Sequence, residues 1–220
     1  MSETTSQAAY PATLQIDYQE KLSRVTTLFR IILVIPIAII LNILTAGSET
    51  VYTWDDDASE RVTETTSSGL GIVGALFLVT VLLILFRKRY PKWWFDFGLA
   101  LSRFFTRISA YVLLVTDRYP STEDDQNIHL DVPYPNAQTD LNRGLPLVKW
   151  FLAIPHYFIL FFLWIALAFV TLIAWFVVIT TGRYPRGLFN FSVGVMRWTW
   201  RVHAYAILLA TDKYPPFSLD

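Results

Sequence analysis

RYPKWWFDFGLALSRFFTRISAYVLLVTDRYP, residues 89–120, returns as RYPRGLFNFSVGVMRWTWRVHAYAILLATDKYP at residues 183–215. Arg89-Tyr90-Pro91 answers to Arg183-Tyr184-Pro185, Phe95 and Phe97 to Phe189 and Phe191, and Arg103 and Arg107 to Arg197 and Arg201. Ala110-Tyr111 and Leu114 match Ala204-Tyr205 and Leu208, and after one inserted residue Thr116-Asp117 matches Thr211-Asp212. So specific a pattern, repeated across different apolar fillings, marks a duplicated structural unit.

Immediately before each block lies a long apolar run. Arg-Tyr-Pro therefore sits where a helix leaves a bilayer: the cation and the aromatic suit the headgroups, and proline ends or redirects the helix. Composition agrees, since 220 residues with 54% hydrophobic and 16% aromatic content do not describe an ordinary soluble domain. Hydrophobic regions of bilayer-spanning length predict an integral membrane protein. The chain has no cysteine, which excludes disulfides, thiolate metal sites and a catalytic thiol.

The polar start, Met1 to Tyr10, has no basic region of the kind that opens a cleaved signal peptide, so the first hydrophobic helix is expected to direct its own insertion. Leu14, Ile16 and Tyr18 alternate with polar residues, and so do Ile128, Leu130 and Val132, which predicts two short strands. These strands can pair with each other, or with the tails around Tyr119 and Tyr214, as a small cap. An apolar stretch from Leu28 to about Leu44, broken by Pro36, predicts a kinked membrane helix. The polar, acidic segment 45–69 reads as a solvated loop without strands, inserted between two membrane helices of the first repeat. Gly71 to Phe86 then returns across the bilayer. In the second half, 145–181 is too long for one span and slightly short for two. A tight helical hairpin turning near Trp164 is favoured there, with one strongly tilted helix as the alternative.

Charge settles the orientation. Lys21, Arg24, Arg87, Lys88, Arg89, Lys92, Arg143, Lys149, Arg183 and Arg186 all flank the apolar segments at the ends joined to the repeated block, while 45–69 is acidic. Both termini and both blocks are therefore expected on the cytoplasmic side of a plasma (inner) membrane in a multi-pass chain, which requires an even number of crossings per half. Within the blocks, Asp96, Arg103, Arg107 and Ala110 share one helical stripe, matched by Asn190, Arg197, Arg201 and Ala204. Two arginines near mid-bilayer would cost at least about 5 kcal/mol on insertion scales, so helices at 92–115 and 188–210 are expected at the interface rather than across it. Tyr90, Trp93, Trp94, Tyr184, Trp198 and Trp200 are their expected headgroup anchors. The expected fold class is all-α integral membrane: two parallel repeats, 1–120 and 121–220, each a transmembrane helical hairpin plus an amphipathic interfacial helix, with room for a small β cap.

The order apolar hairpin, Arg-Tyr-Pro, Phe-polar-Phe, Arg-Trp, Thr-Asp-Lys-Tyr-Pro-Pro-Phe-Ser-Leu resembles a family of prokaryotic membrane proteins, the domain of unknown function numbered 4389, present here as two tandem copies. The best match is Gly182 to Leu219. The first copy departs at Trp93-Trp94, where the second has Gly187-Leu188, and at the acidic insertion. The resemblance implies a fold neighbourhood and transfers no catalytic residue.

Among candidate site residues, Arg103, Arg107, Arg197 and Arg201 can hold lipid phosphates through their planar forks. The favoured reading is structural, with the four paired to Asp96, Asp117 or Asp212 and fastening the surface helices to the cap. His129, His156 and His203 show no metal-ligand spacing, and His156, inside an apolar stretch next to Pro155, is expected to be a satisfied structural histidine rather than a proton relay. Asp55-Asp56-Asp57 suits a solvated loop better than a cation site, and the Asn190-Phe191-Ser192 sequon is discounted as cytoplasmic. No phosphate loop, nucleophile arrangement or nucleic-acid-reading stretch is found. Gly98, Gly194, Ala100, Ala110 and Ala204 are expected packing positions. The chain is thus expected to be a non-enzymatic accessory or scaffold without metal or cofactor, its partners being membrane lipids and other membrane subunits or itself. An anionic-lipid-binding or membrane-organising module and a small channel or transporter are the alternatives.

Overall fold

The computed structural model describes residues 10–45, 47–53, 62–69, 71–121 and 127–220; the Asp55-Asp56-Asp57 run and residues 1–9 lie outside them. Most of the described chain is helical. β1 (Thr13–Ile16) leads into α1 (Arg24–Thr45), and β2 (Gly47–Thr53) and β3 (Val62–Gly69) follow. α2 (Ile72–Leu82) continues as a π-helical segment over Leu83–Arg87, before α3 (Lys92–Val112) and β4 (Ile128–Asp131). The chain ends with α4 (Leu145–Leu152), α5 (Ile154–Thr181) and α6 (Arg186–Ala206).

β1 and β4 pair antiparallel with each other, in the register Thr13↔Asp131, Leu14↔Leu130, Gln15↔His129 and Ile16↔Ile128. Alternation decides which face is buried: Leu14, Ile16, Ile128 and Leu130 lie in one apolar cluster with Phe95 and Leu99 of α3 and Phe189 and Val193 of α6. This small sheet is the expected cap.

α3 and α6 start and stop alike. Each follows the proline of Arg-Tyr-Pro, whose carbonyl accepts the first helical bonds, from Phe95 and from Phe189. Each is succeeded by a leucine in the left-handed region, Leu114 at φ 64 and Leu209 at φ 56. The Val115 and Ala210 amides then return to the carbonyls of Ala110 and Ala204, both at 2.9 Å. A bulky residue pays for a left-handed conformation with roughly 1–2 kcal/mol, and here both leucines are almost fully buried. The shared geometry aligns Leu114 with Leu209 rather than with Leu208, so the inserted residue falls earlier than the sequence match suggested.

Two expectations are corrected. No hairpin turns near Trp164: α5 is one continuous helix through that residue. Between His156 and Thr181 there is no glycine or proline, so nothing offers the backbone a cheaper way to satisfy its hydrogen bonds than to remain helical. The break comes earlier, at Ala153, and Pro155 sits in the first turn of α5, where its missing amide costs nothing. Pro36, by contrast, lies inside α1. Finally, 45–69 is not a strandless loop: Gly47–Thr53 and Val62–Gly69 pair as an antiparallel hairpin, consistent with the Val and Thr content of both segments.

α5 is about 42 Å long at 1.5 Å per residue. Its last turn is tied to the start of the chain, where the Leu22 amide donates to the Gly182 carbonyl at 3.0 Å. Its start is tied to the C-terminal tail, where Tyr214 Oη donates to the Leu152 carbonyl at the end of α4 at 3.1 Å and the His156 ring in the first turn of α5 stacks on Phe217 at 4.0 Å. Both ends of α5 are therefore fastened to segments that also hold the cap.

Candidate functional site

Two buried cations, neither singled out as a site by sequence, are bound in the same way. Arg30 Nη2 meets Asp117 Oδ1 at 2.5 Å, donates from Nη1 to the carbonyls of Tyr111 and Thr116, and lies 4.4 Å from the Tyr111 ring centre. Lys149 Nζ meets Asp212 Oδ1 at 2.7 Å, donates to the Thr211 carbonyl, and lies 5.1 Å from the Tyr205 ring centre. The second oxygen of each aspartate accepts a backbone amide, Ser23 for Asp117 and Asn142 for Asp212. Each pair thus joins an apolar helix, α1 or α4, to the chain that follows α3 or α6. Charges this buried persist only when paired and hydrogen-bonded, and both are.

Two of the four stripe arginines, Arg103 and Arg197, reach the strands of the small sheet. Arg103 Nε donates to the Leu130 carbonyl at 3.0 Å and Arg197 Nε to the Leu14 carbonyl at 3.1 Å, so each surface helix grips the strand from the other half. Arg103 also reaches Asp131 at 3.5 Å, and Arg197 Nη1 reaches the Leu219 carbonyl. Arg107 and Arg201 donate to the carbonyls of Ser121 and Ser218. None of the four arginines is paired with the aspartates expected for it. Asp96 pairs with Lys92 at 2.7 Å, and Asp117 and Asp212 are taken by Arg30 and Lys149. Backbone carbonyls, which sequence does not display, replace the expected carboxylates.

Most of the expected headgroup anchors are inside. Tyr90 and Tyr184 are buried, the first donating to the Leu208 carbonyl at 2.8 Å and the second lying 3.0 Å from Ser192 Oγ. Trp198 and Trp200 are buried as well, because α6 is covered by the cap on one side and by α5 on another. Trp94 is half-buried and donates to Thr80 Oγ1, which leaves Trp93, 70% exposed, as the one of the six that is free to meet a headgroup.

On the face opposite the arginines, α3 and α6 line a half-open cavity of about 140 Å³ with Trp164 of α5 at its edge. Its walls are Ser102, Phe105, Thr106 and Ser109 from α3, and Met196, Thr199, Trp200 and His203 from α6. These are matched positions of the repeated block: Ser102 with Met196, Phe105 with Thr199, Thr106 with Trp200, Ser109 with His203. Sequence reading missed this face because scattered Ser and Thr on a helix form no periodic pattern of their own; hydroxyls at 102, 106 and 109 were the available signal. Ser102 Oγ lies 3.2 Å from His203 Nε2, and the His203 ring stacks on Trp200. Loss of solvation pushes the His203 pKa down from 6.5 to about 4.

The other histidines lie elsewhere, and His156 is not fully satisfied as expected, since its Nε2 is buried without a hydrogen-bond partner. Trp198 Nε1 donates to His156 Nδ1 at 3.0 Å within an aromatic nest of Tyr214 and Phe217. His129, on β4, approaches Asp17 at 3.7 Å on the exposed side of the sheet. Among the described residues no group of three or more His, Asp or Glu is placed to hold a metal ion.

A family model described as Domain of unknown function (DUF4389) matches residues 67–122 and 146–218, two segments consistent with two tandem copies. No curated protein and no solved structure matches the chain.

Proposed function

The chain belongs to the DUF4389 family, whose function is unknown, and from its own surface we propose that it is a non-enzymatic integral membrane accessory or scaffold protein, a subunit of a larger membrane complex or of an assembly of its own copies. One observation carries the reading: the apolar faces of the two longest hydrophobic helices are left open, while the charges that could do chemistry are spent on internal clamps. Arg24–Asn42 and Ile154–Thr181 are each long and apolar enough to cross a bilayer, yet only 17% of each window is buried, which is not how a soluble protein treats a core helix. Ile31, Phe158, Phe161, Phe169 and Phe176 are all more than half exposed. Such a surface needs lipid or another protein against it.

In this reading the chain is two repeats about a pseudo-two-fold axis along the membrane normal. Matched clamps, matched left-handed leucines and the crosswise arginine bonds support it, and the symmetric pair Leu14↔Leu130 lies on the axis. The cationic ends of α1, α2 and α5 face the cytoplasm, α1 and α2 cross as a hairpin, and α5 leans along α6 with both ends on the cytoplasmic side. The lipid-phosphate alternative is weaker, since its four arginines are occupied by backbone carbonyls. The test is alkaline carbonate extraction of native membranes, followed by native mass spectrometry of the protein in nanodiscs. Retention in the pellet with a stoichiometric protein partner or a defined homo-oligomer is the expected result; release into the supernatant, or a lone monomer, would defeat the proposal.

A further inference from the structure

The cavity between α3 and α6 has a one-sided hydrogen-bonding character. Each hydroxyl owns a single hydrogen, and each is already used within its own helix: Ser102 Oγ on the Gly98 carbonyl, Thr106 Oγ1 on Ser102, Ser109 Oγ on Phe105 and Thr199 Oγ1 on Val195, all at 2.8–2.9 Å. Because the Ser102 hydrogen goes to the nearer acceptor, the 3.2 Å contact with His203 is donated by His203 Nε2–H. His203 is then the Nε2–H tautomer, with a bare lone pair on Nδ1. Trp164 Nε1 donates to Thr199 Oγ1 at 3.2 Å. What remains for an occupant is a set of acceptors, the free lone pairs of the hydroxyl oxygens, set among the rings of Phe105, Trp164 and Trp200.

We infer that this cavity binds a single-ring phenol, the ring lying among the aromatic walls and its hydroxyl donating to the acceptor floor. A single ring has room, since about 150 Å³ accommodates benzene even in a closed cavity and this one is half-open. No carboxylate lines the site, so an ammonium donor would be buried without a counter-charge, which favours a neutral hydroxyl. The same chemistry belongs to a free phenol and to the ring of a membrane quinol, whose tail would leave past Trp164.

The inference stands on the cavity alone and does not depend on a subunit role. The test is fluorine NMR of the full chain in nanodiscs with 4-fluorophenol and with 4-fluoroanisole, which keeps the ring but has no hydrogen to donate. Saturable binding at least tenfold tighter for the phenol, lost in Ser109→Leu, is expected; equal affinity for the two, or no saturable binding because the cavity takes only water, would overturn it. Should Ser109→Leu fail to fold, the comparison of the two probes on the unaltered chain decides by itself. Organic extraction of protein purified from its native membrane separates the sources. A stoichiometric quinol identifies the lipid, and phenol binding without one identifies the free ring.

Discussion

At the scale of single residues, the two buried cation–carboxylate pairs are the features whose removal should be felt most. Asp117→Asn leaves Arg30 charged and enclosed, with side-chain exposures of 4% and 20% for the two partners. Breaking one side of such a pair costs about 3–5 kcal/mol, whereas removing both charges costs much less. A double-mutant cycle with Arg30→Met and Asp117→Asn, followed by thermal unfolding, should therefore show strongly non-additive losses; simple additivity would mean that the pair is not coupled. Glycine gives a second contrast. A Cβ at Gly194 would lie 2.9 Å from both the Cβ and the backbone oxygen of Leu219, while at Gly98 it would meet only the Cδ1 tip of Leu208. Gly194→Ala should cost about 1–3 kcal/mol and Gly98→Ala less, because a leucine tip can rotate and a backbone cannot. His203 supplies the pH dependence. Its folded pKa is depressed to about 4, so the unfolded chain binds the proton more readily as pH falls. The contribution of His203 is complete above about 6.5 and is lost progressively down to about 4. The melting temperature of the His203→Gln variant should accordingly fall less between pH 7 and pH 4.5 than that of the unaltered chain.

At the scale of elements, α5 is the one that departs from expectation. A turn near Trp164 would accept a proline, whereas the interior of a continuous helix loses a hydrogen bond and gains a clash, about 3 kcal/mol or more. Ile165→Pro should lower the melting temperature by many degrees; unchanged stability would restore the hairpin. The cap offers the complementary case. A period-two pattern identified both strands and their buried faces, since Leu14, Ile16, Ile128 and Leu130 all point inward. It left open which strand pairs with which, because alternation fixes a face and not a partner.

At the scale of the whole molecule, the crosswise arrangement ties the two halves together: Arg103 holds β4 and Arg197 holds β1. Since the chain has no cysteine, a Leu14→Cys/Leu130→Cys variant should close a disulfide within one chain under mild oxidation and raise the unfolding temperature. Cross-linking only between chains would mean that the strands pair between copies.

The sequence by itself determined the repeat, the apolar helices, the amphipathic blocks after Arg-Tyr-Pro, and the two cap strands. All of these are written in local periodicity and in residue types whose environment is nearly forced, such as proline at a helix start. Only the tertiary structure decided that Arg103 and Arg197 spend their hydrogen bonds on backbone carbonyls, that Tyr90, Tyr184, Trp198 and Trp200 are enclosed, and that Arg30 and Lys149 are the buried charges. A carbonyl acceptor is carried by every residue and so leaves no mark in the sequence. Burial of α6 on several sides depends on α5 lying along it, which follows from where both ends of α5 are fastened. The cavity is a property of the crossing of α3 and α6, where matched positions come face to face, and its acceptor-rich floor appears only once each hydroxyl's single hydrogen has been assigned to a neighbour in space.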